Sequence, residues 1–230
     1  MDRLIGLGLY TAAEAGRLLN VRPATIRRWL QGYIAKGVEY APLWETAIDS
    51  DDLQVVLSFD DLMEVRVADA FIRYGVPSTR IRAAIVAAKE ALGQNYPLST
   101  DRFRTDGREI FLKLVETDGE GLEHERLLNL FRRQYEFSGV LDPILKTVDF
   151  MANGRPELWW PRGRRFNVVV DPSRSFGQPI DAVSSVPTSI LAAAARNEGV
   201  LRAALAYDVD PSSVRRAVEF EAALDELQAA

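Results

Sequence analysis

Three arginines and a threonine lie close together near the amino terminus, in the sequence VRPATIRRWLQG that begins at Val21. Arginine donates hydrogen bonds to phosphate oxygens and guanine edges, and a threonine hydroxyl reaches a phosphate or a base. A nearby lysine adds a positive charge that attracts phosphate. Side chains of these types recognise DNA, and the candidate DNA-contacting residues are Arg22, Thr25, Arg27, Arg28 and Lys36.

The pattern around these side chains predicts two short helices separated by a tight turn. Thr11 and Glu14 form a T-x-x-E capping box ahead of the first helix. Pro23 suits the first turn of the second helix, where its missing N–H has no partner to lose. A helix-turn-helix, which directs the amino end of its second helix into the major groove, fits this pattern. The alternative is a helical hairpin with solvated arginines. The apolar face of the second helix comprises Ile26, Trp29 and Leu30.

A second cationic cluster lies near the carboxyl terminus, where helices are predicted at 187–197, 200–207 and 211–227. The small and apolar residues of these helices suit a compact trihelical core. The cluster has three interpretations: a second DNA contact, a contact between subunits of a dimer, or a solvated helix face. Its members are Ser212, Ser213, Arg215 and Arg216.

The residue types offer little to an enzyme. The chain has no cysteine and a single histidine, His124, which excludes thiol nucleophiles and histidine–cysteine zinc sites. No nucleophile-elbow or phosphate-binding glycine motif occurs between a strand and a helix. The carboxylate pairs Asp51–Asp52 and Asp60–Asp61 are interpreted as helix caps or solvated charges. We therefore expect no catalysis, no cofactor and no metal.

Charge is distributed unevenly along the chain. The totals are 28 Lys+Arg against 33 Asp+Glu, which argues against a protein that coats nucleic acid but not against a local basic face. Residues 1–36 hold six basic and two acidic residues, whereas the acidic excess lies at 45–64, 116–125 and 219–226. The sequence shows neither a signal peptide nor a membrane-spanning apolar segment, which predicts a cytoplasmic protein.

The predicted fold is mainly α with small β elements. Residues 1–58 are predicted to form a winged helix-turn-helix, with a short strand in LQVVLSF. Residues 59–150 are predicted to be a helical middle region with a β-hairpin at 101–115, because Asp106-Gly107 is typical of a hairpin turn. Residues 151–166 are predicted to be a linker, and residues 167–230 a helical domain that dimerises.

The predicted linker contains Trp159 and Trp160 among four arginines. Aromatic rings beside arginines can stack on nucleotides or reach a minor groove. The other interpretation is that the two tryptophans pack the linker onto a neighbouring domain, which the sequence favours.

The amino-terminal sequence TAAEAGRLLNVRPATIRRWL resembles the helix-turn-helix of MerR-like regulators. Their pattern places a Glu-Ala pair in the first helix and a threonine, an arginine and an aromatic residue in the second. Glu14-Ala15, Thr25, Arg27-Arg28 and Trp29 match it. The resemblance implies winged helix-turn-helix DNA binding without naming a regulator.

The carboxyl-terminal region resembles a small helical domain of unknown function found in many bacterial antitoxins. Matching positions are Asp171-Pro172, Phe176 to Ile180, Pro187-Thr188 and Tyr207 to Val209. A helix-turn-helix first and this domain last is similar to a VapB-type antitoxin of a type II toxin-antitoxin system. The resemblance implies binding and neutralisation of a PIN-domain ribonuclease toxin, and binding of operator DNA to repress the operon. The extended tail with which short antitoxins wrap their toxin is not obvious, so the toxin-binding surface is left open.

The sequence therefore predicts an antitoxin that binds a near-palindromic operator as a homodimer, with acidic segments facing a basic toxin. One alternative is a MerR-like ligand-responsive transcription regulator, which would need an effector pocket or a long dimerising coiled coil. Another is a structural scaffold with a vestigial helix-turn-helix.

Overall fold

The structure is a computed structural model and describes residues 6–46, 48, 55–117 and 134–229. These residues are mainly helical with small antiparallel sheets, which confirms the predicted fold class. The helices are α1 (Ala12–Leu19), α2 (Pro23–Gln31), α3 (Phe59–Arg73), α4 (Ser78–Leu92), α5 (Asp101–Thr117), α6 (Gln134–Leu145), α7 (Thr188–Glu198), α8 (Val200–Ala206) and α9 (Pro211–Ala229). The strands are β1 (Tyr10–Thr11), β2 (Tyr33–Ala35), β3 (Val38–Tyr40), β4 (Val56–Leu57), β5 (Val148–Phe150), β6 (Pro156–Trp159), β7 (Val168–Val170) and β8 (Pro179–Asp181).

The first helical pair forms as the sequence predicts. The Thr11 hydroxyl accepts a hydrogen bond from the Glu14 amide at 3.2 Å, and the Glu14 carboxylate accepts one from the Thr11 amide at 2.8 Å. This reciprocal capping box starts α1, and Pro23 starts α2. Strands β2 and β3 then form an antiparallel hairpin that follows α2, and β4 returns to pair with β1.

Helix α3 begins with a second capping box. Its N-cap is Ser58, and Asp61 closes the box by accepting from the Ser58 amide at 2.9 Å. The other carboxylate oxygen of Asp61 accepts from the Trp44 indole at 2.9 Å. Asp61 therefore takes part in the cap that the sequence predicts, and it also fixes the segment that follows the β2–β3 hairpin.

The predicted β-hairpin at 101–115 is wrong, because these residues lie in α5. Phe103 and Phe111 are fully buried and pack around Phe71, with the Phe71 and Phe111 ring centroids 5.1 Å apart. Gly107 lies against the Phe103 ring, where a Cβ would come within 2.8 Å of ring carbons. The glycine thus provides room for an aromatic ring within a helix, and core packing overrides the turn preference of Asp106-Gly107.

The linker interpretation of 151–166 is also wrong, because β6 lies within that range and joins the four-stranded sheet β5-β6-β7-β8. Trp159 pairs with Val148 on one side and Val170 on the other, and it is buried in the main core. The Trp160 indole donates to the Asp149 carboxylate at 2.7 Å. Both tryptophans therefore serve packing, the alternative that the sequence favoured.

The three carboxyl-terminal helices appear where they were predicted, as α7, α8 and α9. Helix α9 also packs against α1, and Arg17 of α1 pairs with Glu221 at 2.8 Å and with Asp225 at 2.6 Å. The buried Tyr10 hydroxyl donates to the Gly177 carbonyl at 2.8 Å. The amino-terminal helices are thus held against the carboxyl-terminal region. No helix in the described part of the chain combines the length and the apolar character needed to cross a bilayer.

Candidate nucleic-acid interface

Helix α2 presents a cationic face to solvent. Ile26, Trp29 and Leu30 are buried, so the helix packs by the face that the sequence predicts. Arg27 and Arg28 lie on the opposite face and are exposed. Because buried apolar side chains fix the orientation of the helix, its guanidinium groups are directed to solvent without any contribution from DNA.

The amino end of α2 adds two more of the predicted residues. Arg22 is the N-cap residue and is exposed, and Thr25 lies in the first turn and is half-buried. The first amides of a helix lack internal partners and form an electropositive end that favours phosphate. The structure therefore places Arg22, Thr25, Arg27 and Arg28 on one short helix, the element that enters the major groove in a helix-turn-helix.

The turn between α1 and α2 depends on a residue that the sequence reasoning missed. A Cβ on Gly16 would lie 2.5 Å from the Val21 carbonyl oxygen and 3.1 Å from a Pro23 ring carbon. The Val21 amide donates to the Gly16 carbonyl at 3.0 Å, and Asn20 adopts the left-handed conformation that ends α1. A glycine followed by a left-handed asparagine and a proline could have indicated this close approach.

Substitution of Gly16 by alanine is expected to disturb the orientation of α2. The new methyl group would overlap the Val21 carbonyl, so α1 and the turn must separate, at a cost of about 1–3 kcal/mol of folding free energy. Thermal unfolding and operator affinity should both decline. Ala13→Gly provides the control, because it alters an exposed position of the same helix by one methyl group.

The β2–β3 hairpin forms a wing next to α2. Lys36 lies in its turn with φ of +50°, followed by Gly37 with φ of +77°, and the Lys36 side chain is exposed. Tyr33 and Tyr40 face each other across the hairpin with ring centroids 4.7 Å apart. The guanidinium of Arg28 lies 5.4 Å from the Tyr33 ring centroid, a cation–π contact that links α2 to the wing. Sequence reasoning missed this tyrosine pair.

Two arginines from α3 and α4 hold this unit together. Arg73 donates to the Asn20 carbonyl at the helix-turn-helix turn and pairs with Asp69 at 2.6 Å. Arg82 donates to the carbonyls of Ala41 and Pro42, just after the wing. Both side chains hydrogen-bond to protein backbone, so they position the helix-turn-helix and the wing relative to α3 and α4.

The carboxyl-terminal set predicted to contact DNA or a second subunit is not brought together on one exposed face. Ser213 is buried, and Arg216 pairs with the fully buried Asp181 at 2.8 Å. Burial alone would raise the pKa of Asp181, but hydrogen bonds from Arg216 and Ser184 outweigh it and lower that pKa. Arg215 is exposed and Ser212 is half-buried, so those two remain accessible to a partner.

The other chemistry-bearing candidates are dispersed. Asp60 pairs with Arg155, and Asp61 caps α3. Among the described residues, no cluster of three or more carboxylates or imidazoles could hold a metal ion. His124 and the pair Asp51–Asp52 lie outside the described residues.

Comparison with known proteins agrees with this geometry. A family described as "Putative DNA-binding HTH domain" matches residues 8–85, from just before α1 into α4. "Putative antitoxin VapB45" of Mycobacterium tuberculosis (strain ATCC 25618 / H37Rv) is 30% identical over 226 residues, covering 94% of each chain. The X-ray crystal structure of Rv2018 from Mycobacterium tuberculosis matches with a TM-score of 0.73 and 29% identity, covering 93% of this chain and 99% of that one.

The extent of these matches matters as much as their identity. A helix-turn-helix shared by itself would show only a DNA-binding fold, because such units occur in many unrelated regulators. Here the similarity continues beyond residue 85, through the β5–β8 sheet and the carboxyl-terminal helices. The chain belongs to the family of VapB-type antitoxins and carries an amino-terminal DNA-binding helix-turn-helix.

Proposed function

We propose that this chain binds the operator of its own operon through α2 and the wing, and neutralises a PIN-domain ribonuclease toxin by direct binding. The observation that carries the proposal is the exposed cationic face of α2 in a chain that belongs, over nearly its full length, to an antitoxin family. Its role is then binding rather than catalysis.

The operator half of the proposal follows from the chemistry of that face. Arg27 and Arg28 are exposed, carry fixed charges and have no carboxylate partner among the described residues. Guanidinium groups in this position suit phosphate oxygens or guanine edges. Lys36 in the wing turn is positioned to add a phosphate contact beside the groove that α2 occupies.

The toxin half rests on family membership, and the charge of α9 supports it less than the sequence suggested. The acidic residues at 219–226 were expected to face a basic toxin. In the structure, Glu221 and Asp225 pair with Arg17, and Glu219 pairs with Arg162 at 2.8 Å. The acidic segment 116–125 lies almost wholly outside the described residues. The toxin surface is therefore proposed to lie away from the α1–α9 contact.

Co-expression with the neighbouring open reading frame tests the proposal. With an affinity tag on this chain alone, we expect a stoichiometric complex, and we expect growth arrest when the neighbour is expressed without its partner. The same complex should shift a promoter fragment of its operon in an electrophoretic assay. An unrelated promoter of equal length is the control.

The outcomes separate the candidate functions. A chain that purifies alone and shifts its promoter, with no toxic neighbour, would favour the ligand-responsive regulator. A stable chain that binds neither DNA nor a neighbouring product would favour the scaffold. Either result would overturn the antitoxin proposal.

A further inference from the structure

Helix α8 directs two leucines into solvent. Leu201 and Leu205 are one turn apart, and their exposed fractions are 66% and 83%. The same helix buries Ala203 and Ala204 against α7 and α9. Its outer face, the apolar ridge of Leu201 and Leu205, is therefore left uncovered by the residues that the structure describes. Exposed leucine pairs of this kind mark contact surfaces.

A groove lies beside this ridge. It has a volume of about 670 Å³ and runs between α7 and the end of α8. Small side chains leave the space open, and the half-exposed Ile190 and Tyr207 (each 42% exposed) provide larger apolar walls. The lining that matters here, the alanine groove, consists of Ile190, Ala193, Ala194, Glu198, Ala206 and Tyr207.

The ridge and the groove carry opposite charges. Arg202 lies on α8 between the two ridge leucines, and Glu198 lines the groove. Both side chains are exposed, and neither forms an ion pair within the described residues. A partner for the groove should therefore present apolar side chains next to a cation, and a partner for the ridge should present an apolar cleft next to a carboxylate.

We infer that the apolar ridge of one copy seats in the alanine groove of a second copy. Each copy carries both halves, so a two-fold axis would satisfy ridge and groove twice and place Arg202 of each copy near the other's Glu198. A strongly basic partner fits less well, because the surface carries one charge of each sign rather than an acidic excess. The inference rests on the proposed operator function, for which two helix-turn-helix units are needed.

Sedimentation of the full chain tests this inference. The wild-type protein should be a dimer, and the Leu201→Glu/Leu205→Glu variant should dissociate about 100-fold more readily or further, because buried apolar anchors dominate such interfaces. Folding should persist, since both positions are exposed. Val183→Glu is the matched control, because Val183 is 77% exposed and lies outside the ridge and the groove. The control should remain dimeric.

A charge exchange adds specificity to the test. Arg202→Glu and Glu198→Arg should each weaken the dimer, and the two changes combined should restore it. A monomeric wild-type chain, a dimeric Leu201→Glu/Leu205→Glu variant, or a charge exchange without restoration would overturn the inference. The proposed function fails separately, because toxin co-purification and promoter binding are measured on the wild-type chain whatever its oligomeric state.

Discussion

The double substitution Arg27→Ala/Arg28→Ala is expected to weaken operator binding about 100-fold, taking about 1.4 kcal/mol for each arginine removed. Both side chains are exposed on the solvent face of α2, whose other face is buried. The fold should therefore be unchanged. If both arginines bind phosphates, the slope of log affinity against log salt concentration should flatten by about 2. Titration of an operator fragment at several salt concentrations measures both quantities.

A charge-matched control is available in Arg104→Ala/Lys146→Ala. These residues are exposed, lie on α5 and at the end of α6, and belong to neither the helix-turn-helix nor the wing. Long-range attraction depends on total charge, whereas direct binding depends on position. The control should retain near wild-type affinity. Equal reductions in the two variants would contradict the assignment of α2 as the DNA-contacting helix.

The sequence predicted the helix-turn-helix correctly because its determinants are local. A capping box at Thr11, a proline at the first turn of α2 and apolar residues at helical spacing all lie within 21 residues. They agree with one another, and such agreement across levels is what makes a segment predictable. The exposed positions of Arg27 and Arg28 follow from the same spacing, because Ile26, Trp29 and Leu30 determine which face is buried.

The errors arose where distant residues decide the structure. Asp106-Gly107 is typical of a hairpin turn, yet Phe103 and Phe111 are drawn into a core with Phe71 and Phe137, which only the folded chain brings together. The range 151–166 has a linker composition, yet Trp159 pairs with strands on both sides. The Tyr33–Tyr40 stack was likewise invisible, because it requires the hairpin register.

Charge distribution shows the same limit. The sequence places basic residues at one end and acidic residues at the other, which suggested two partners of opposite charge. The folded chain brings these ends together, and Arg17 uses the carboxylates of Glu221 and Asp225. Net charge along a sequence therefore indicates what is available for binding only after intramolecular pairs have been subtracted.

Replacement of Glu64 by alanine is expected to be the most destabilising single change discussed for this chain. Glu64 is fully buried in α3, and its two carboxylate oxygens accept from the amides of Leu98 at 3.1 Å and Ser99 at 3.0 Å. Alanine would leave both buried amides without a partner, at about 1–3 kcal/mol each, and would add a cavity. We expect a loss of about 3–5 kcal/mol in the free energy of unfolding, measured by chemical denaturation. Val86→Ala, at an exposed position on α4, should cost little.

Glu64 should also make the stability of the protein depend on pH. Burial raises the pKa of its carboxyl group to about 8, because desolvation outweighs the hydrogen bonds from Leu98 and Ser99. The folded chain thus binds a proton that the unfolded chain releases near pH 4.5, so stability is greatest below that value and falls as pH rises towards 8. The slope is at most about 1.4 kcal/mol per pH unit. Glu64→Gln cannot titrate, so the difference in unfolding free energy between the two proteins isolates this group, and parallel profiles from pH 5 to 8 would contradict its raised pKa.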